Sequence, residues 1–215
     1  LLKMMNKIHK DNRGVLIVIS GPSGAGKGTI CKALLEKHKD IHLSVSATTR
    51  EPRQGEVHGV NYYFLNKDEF LKKVEEDDFL EWAEVYGNCY GTPKSNVQEL
   101  LDSGKDVILE IDIQGALKVK ENFSEGVFIF ILPPSMEELK QRIIKRGSET
   151  EESLMTRFKN AYQEINYVSK YNYAVVNDTV ENAVNKIENI LAAEKCRVDR
   201  IQGTILNLEE GISHE

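Results

Sequence analysis

The apolar run Val15-Leu16-Ile17-Val18-Ile19 leads into Gly21-Pro22-Ser23-Gly24-Ala25-Gly26-Lys27 and then into Thr29–Lys37, where Ile30, Ala33 and Leu34 recur at helical spacing. A short β-branched run without alternation predicts a strand buried on both faces. Followed at once by a glycine-rich turn and a helix, it opens an α/β unit. Val107–Ile113, Val127–Leu132 and Tyr173–Val176 are similar runs, with helical patterns at Gly115–Glu121, Ser135–Lys145 and Val180–Ala193. Ser135 and Glu138 have capping-box spacing. Alternating buried strands and helices predict an α/β fold with a mostly parallel sheet flanked by helices.

Between Arg50 and Thr92 the rhythm breaks. Aromatic alternation at Tyr62, Tyr63 and Phe64, a helical pattern at Lys67–Glu76 and a strand at Phe79–Tyr86 before the Gly87-Asn88 turn predict a small, largely antiparallel insert. At 215 residues the chain suits one domain carrying such an insert. Its net charge of −6 argues against nucleic acid as a partner. No run approaches a membrane span, and the first residues lack the apolar stretch of a signal peptide. Three cysteines without a C-x-x-C pair fit a reducing cytoplasm. His38 and His42 flank a helix-to-strand break and are not expected to bind metal.

The glycine-rich turn has the context a phosphate-binding loop requires. Gly21, Pro22, Ser23, Gly24, Ala25 and Gly26 offer backbone N–H groups to phosphate oxygens, the helix start adds partial positive charge, and Lys27 adds a full one. One position departs from the pattern. Ser or Thr should follow the lysine and meet Mg²⁺, but Gly28 stands there, with Thr29 next. Thr29, acting directly or through water, is the first candidate for the metal, and Ser23 the second. Asn66-Lys67-Asp68 lacks the spacing of a GTPase guanine motif and is discounted.

A second set of residues suits a phosphate dianion. Arg50 and Arg53 lie three apart on a Pro/Gly loop, with Tyr62 and Tyr90 further on, and arginines with tyrosine hydroxyls form a phosphate clamp. The segments GPSGAGKGT, SVSATTREPRQGEVHGVNYYF, FLEWAEVYGNCYGT, ILEIDIQG and KRGSETEESLMTRF together resemble the guanylate kinase family, from about Gly14 to Glu194. The resemblance implies a P-loop NTPase-type core (14–46 and 93–198), a GMP-binding insert (47–92), a helical lid (142–157) and tails at 1–13 and 199–215.

It further implies that Arg50, Arg53, Tyr62 and Tyr90 hold the GMP phosphate. Ser46, Glu81 and Thr92 would read guanine, and Asp112 would lie between base and catalytic centre. The chemistry agrees: guanine's N1–H and N2–H₂ suit a carboxylate and its O6 suits hydroxyls, whereas adenine would leave them mispaired. Glu110 stands where Asp is also common in the family, which leaves open whether Glu110 or Asp112 organises the waters of Mg²⁺. Cys89 reads as a packing residue.

Arg142, Arg146 and Arg157 match the family's lid arginines, which close over the phosphates, and the Gly147–Glu152 segment reads as its hinge. Asn177 falls where the resemblance puts the adenine pocket, with a helix N-terminal role for Asn177-Asp178-Thr179 equally open. The implied reaction is transfer of the γ-phosphoryl of ATP to GMP with Mg²⁺. Nothing is dedicated to the 2′-OH, so dGMP stays open as an acceptor, as do monomer and homodimer. The alternatives are a non-enzymatic guanylate-kinase-like binding module and an AMP kinase. The first is disfavoured by the intact loop and lid arginines, the second by Glu81 and the Arg50–Tyr62 segment.

Overall fold

The computed structural model describes residues 13–85, 87–145 and 151–201, and their side chains except at 145 and 151–157. Arg146 and the Gly147–Thr150 stretch therefore lie outside the described residues.

The buried runs form one five-stranded sheet. β1 (Leu16–Ser20) lies between β7 (Asp106–Glu110) and β8 (Val127–Leu132), with β2 (Ile41–Leu43) and β9 (Tyr173–Val176) at the edges. Every neighbouring pair is parallel, with Ile19 beside Glu110 on one side and Ile129 on the other. Successive side chains of a strand face opposite ways, and β1 shows the consequence. Ile17 and Ile19 pack with Ile30 and Leu34 of α1 (Lys27–Lys37) and Ile187 and Leu191 of the C-terminal helix at Val180–Lys195. Leu16 and Val18 pack on the other face with Val97, Leu101, Ala116 and Val119.

Three differences from the sequence reading have local causes. β7 stops at Glu110 because Asp112 accepts a hydrogen bond from Gly115 N at 2.9 Å and caps the helix Ile113–Asn122. A helix at Lys94–Asp102 was not anticipated; only Val97 and Leu101 of it are buried. Ser135 accepts from Glu138 N as a cap should, but the Glu138 carboxylate pairs with Arg142. The complete capping box is at Asn66 and Glu69, where it starts α2 (Lys67–Glu75). The segment discounted as a base-recognition motif is thus a helix start.

The second sheet is four-stranded and mixed. Its order is β4 (Tyr63–Phe64), β3 (Ala47–Thr48), β6 (Asn88–Pro93), β5 (Phe79–Val85); β3 and β4 run parallel and the other pairs antiparallel. Phe70 of α2 stacks on Phe79 at 4.6 Å, over Ala47 and buried Cys89. The helices after β6 are α3 (Lys94–Asp102), α4 (Ile113–Asn122), α5 (Met136–Lys145), α6 (Glu151–Glu164) and α7 (Val180–Lys195). No helix among the described residues is long and apolar enough to cross a membrane.

Candidate active site

A parallel sheet gathers the loops that follow its strands at one edge, where open α/β sheets bind ligands. Here that edge carries the glycine-rich loop after β1, Glu110 and Asp112 after β7, and Asn177 after β9. Gly24 and Gly26 take φ values of 89° and 94°, the left-handed region glycine tolerates. A Cβ on Gly26 would collide with Asn177 Nδ2, so glycine lets that amide donate to Ala25 O at 2.8 Å. Lys27 Nζ donates to the carbonyls of Gly21 at 2.6 Å and Pro22 at 3.2 Å, which holds the ammonium at the loop mouth. The first turn of α1 carries no acidic residue, so its positive end is not neutralised within the helix.

The loop faces a cavity of about 850 Å³, whose other walls include Trp82 and Glu84 of β5, Asp112, and Glu164 of α6. That is within the range of small-molecule sites. A second cavity of about 330 Å³ shares Gly24 and Gly26 and is walled by Thr29, Arg142, Asn177 and Asp178. Arg142 bridges Glu138 and the Asn177 carbonyl. Asn177 is buried, and the helix cap falls to Thr179, whose side chain accepts from Asn182 N.

Cross-strand pairing explains the next group. Glu81 of β5 lies opposite Thr92 of β6, and the Thr92 hydroxyl donates to Glu81 Oε1 at 2.8 Å. Both side chains are buried, and Glu81 Oε2 rests against Gly115 of α4. Burial pushes the Glu81 carboxyl up to about 7; the Thr92 hydrogen bond and the Lys118 charge oppose the rise, and Asp112 adds to it. Lys118 itself donates to the Trp82 carbonyl at 2.5 Å.

The pairing of β3 with β6 brings Tyr90 beside Thr48, two residues before Arg50. The Arg50 guanidinium lies 5.5 Å from the Tyr62 ring centre, and Tyr62 meets Tyr90 edge-on at 6.1 Å. Arg50 donates to both carboxylate oxygens of Glu56, at 2.9 and 3.0 Å, and this hydrogen bonding raises its pKa. The structure thus brings Arg50, Tyr62 and Tyr90 together. Arg53 is exposed, with its backbone N–H on Glu56. Ser46 is half-buried, and its carbonyl accepts from Tyr63 N. Arg157 is on α6, with its side chain outside the described set.

The family model for guanylate kinase matches residues 13–194. The chain belongs to the guanylate kinase family. A guanylate kinase of Clostridium perfringens is 79% identical over 212 residues, 99% of this chain and 98% of that protein. One from Clostridium tetani is 71% identical, over 94% and 97%. The crystal structure of guanylate kinase from Anaplasma phagocytophilum superposes with a TM-score of 0.74 at 40% identity, covering 88% of this chain and 90% of that one. The reaction of the family is phosphoryl transfer from ATP to GMP, and this chain is an ATP:GMP phosphotransferase.

Sequence reasoning missed three guanylate kinase residues that the fold brings to the site. Glu56 lies six positions after Arg50 in an irregular loop, where no periodicity pairs them. Glu164 accepts from Ser23 N at 3.3 Å, across 141 residues. Lys118 reaches Glu81 only through the packing of β5 on α4. None carried a local signal beyond its charge.

Proposed function

We propose that the 47–92 insert holds GMP and that the core, 14–46 with 93–198, holds ATP. In this reading Glu81, ionised and held by the proton of the Thr92 hydroxyl, accepts guanine N1–H and N2–H₂, while the Ser46 hydroxyl donates to O6. Arg50, Arg53, Tyr62 and Tyr90 take the GMP phosphate, and Glu56 fixes the Arg50 guanidinium for it. The loop amides and Lys27 hold the ATP phosphates, and Asn177 with Arg142 borders the adenosine side. The observation that carries this reading is the buried Glu81–Thr92 pair, a carboxylate fixed by a hydroxyl in the manner that recognition of a base's N–H groups requires.

The chemistry needs little covalent help. A GMP phosphate oxygen is already ionised near neutral pH, so no general base is required, and the protein positions the reactants and balances charge. Lys27 and the arginines at 142, 146 and 157 supply that balance, and closure of the 142–157 segment excludes water. Among the described residues no three or more His, Cys, Asp or Glu gather as a metal site. The chemistry of Glu110 and Asp112 instead suits Mg²⁺ carried on ATP, which keeps most of its waters and needs only one or two carboxylates. Mg²⁺, when bound, neutralises phosphate charge.

Separate Michaelis constants test the division of labour. Arg50→Ala is expected to raise KM for GMP roughly tenfold or more with KM for ATP little changed, and Asn177→Ala the reverse. Both variants raising both constants equally would contradict the assignment.

A further inference from the structure

One backbone N–H of the phosphate loop is engaged by an anion that belongs to the chain itself. Glu164, the last residue of α6, accepts from Ser23 N at 3.3 Å, and both residues line the large cavity. Packing fixes this approach across 141 residues of sequence. Leu139 and Ile143 of α5 lie against Gly24 of the loop, and the same two side chains pack with Phe158 and Ala161 of α6. Lys27 Nζ donates to the Pro22 carbonyl. The Pro22–Ser23 peptide thus meets Lys27 at its carbonyl and Glu164 at its N–H. Among the described residues no basic side chain pairs with the Glu164 carboxylate. A carboxylate oxygen and a phosphate oxygen make the same demand on a backbone N–H, as anionic acceptors. They do not share one readily, because like charges that close repel in a partly buried site.

We propose that Glu164 competes with the phosphates of the nucleotide for the Ser23 N–H, so that a phosphate oxygen must displace this carboxylate in order to bind. This rests on the proposed placement of ATP at the loop and adds to it a residue that sets how strongly the loop holds phosphate. The consequence is selection. Inorganic pyrophosphate has to expel the carboxylate with phosphate contacts alone, whereas ATP and ADP bring adenosine contacts that offset the displacement. The same competition favours release of ADP after transfer.

The test is calorimetric binding of ADP and of inorganic pyrophosphate, each without GMP. Glu164→Gln keeps an acceptor of the same length and removes the charge, and it is expected to tighten both ligands roughly tenfold. A residue that merely supported the loop would weaken binding when altered. Glu84→Gln removes a charge from another wall of the same cavity and is expected to leave both affinities within about twofold, since an exposed charge is screened. A crystal structure of the unaltered protein with ADP gives a reading that needs no variant. Glu164 is expected there beyond hydrogen-bond distance of Ser23 N, with a phosphate oxygen on that amide. Unchanged or weaker binding in Glu164→Gln, an equal gain in Glu84→Gln, or a Glu164–Ser23 contact retained beside bound ADP overturns the proposal. ADP binding indifferent to Lys27→Ala would instead take the phosphates out of the loop and sink the placement of ATP, and this proposal with it.

Discussion

Burial pushes the Glu81 carboxyl from 4.5 up to about 7, with the Thr92 hydroxyl and Lys118 holding back a larger rise. The sign of the consequence follows. With a folded pKa above the unfolded one, the proton-bound form is favoured in the native state, so this group's contribution to stability falls as pH rises from about 4.5 through about 7. The proposed contact with guanine requires the opposite, ionised form. Calorimetry in buffers of different ionisation enthalpy is therefore expected to show net proton release from the protein on GMP binding at pH 7. That release should vanish in Glu81→Gln, and GMP affinity should weaken as pH falls below 7 by more than the GMP phosphate accounts for. Proton uptake would contradict the account. Glu81 was singled out through the family resemblance, with the fit of a carboxylate to guanine's donors in support. Its burial and its 2.8 Å contact with Thr92 were not, because both arise from β5–β6 register.

At the scale of elements, β1 and β8 were legible because continuous apolar runs suit strands covered on both faces, and β9, which buries only Val175, because its run is apolar and β-branched. β7 was read too long because its apolar run continues into Ile111 and Ile113, while Asp112 turns the chain into α4. α3 went unread because it buries only two of nine residues, Val97 and Leu101. α4 carries the more consequential detail. A Cβ on Gly115 would stand 2.8 Å from Glu81 Oε2, so this helix presents a bare position to the carboxylate proposed to read the base. Alanine favours helix over glycine by roughly 1 kcal/mol. Gly115→Ala is nevertheless expected to raise KM for GMP about tenfold without lowering kcat for saturated enzyme, as steady-state kinetics would measure. An unchanged KM would place Glu81 away from guanine.

At the scale of the whole molecule, two sheets divide the labour. The parallel sheet delivers its loops to one edge, and the mixed sheet sets Glu81, Thr92, Arg50 and Tyr90 near it. The loop's place between a buried strand and a helix was legible from Gly26 and Lys27. The Arg50–Tyr62–Tyr90 group was legible as residue types only. Its assembly depends on β3 pairing with β6, and no spacing along the chain encodes a contact across 40 residues. The Arg50–Glu56 pair and the Glu164 contact with the loop were invisible for the same reason, since a charge in an irregular segment does not announce its partner. The central claim is that one buried carboxylate, fixed between β6 and α4, selects the acceptor. The most direct measurement is kcat/KM with ATP and Mg²⁺ for GMP, AMP, CMP and UMP, in the unaltered protein and in Glu81→Gln. The expected result is turnover confined to GMP, with a preference over AMP of roughly 10⁴-fold or more that falls at least tenfold in the variant, while the ATP constant stays unchanged. An undiminished preference in Glu81→Gln would contradict it.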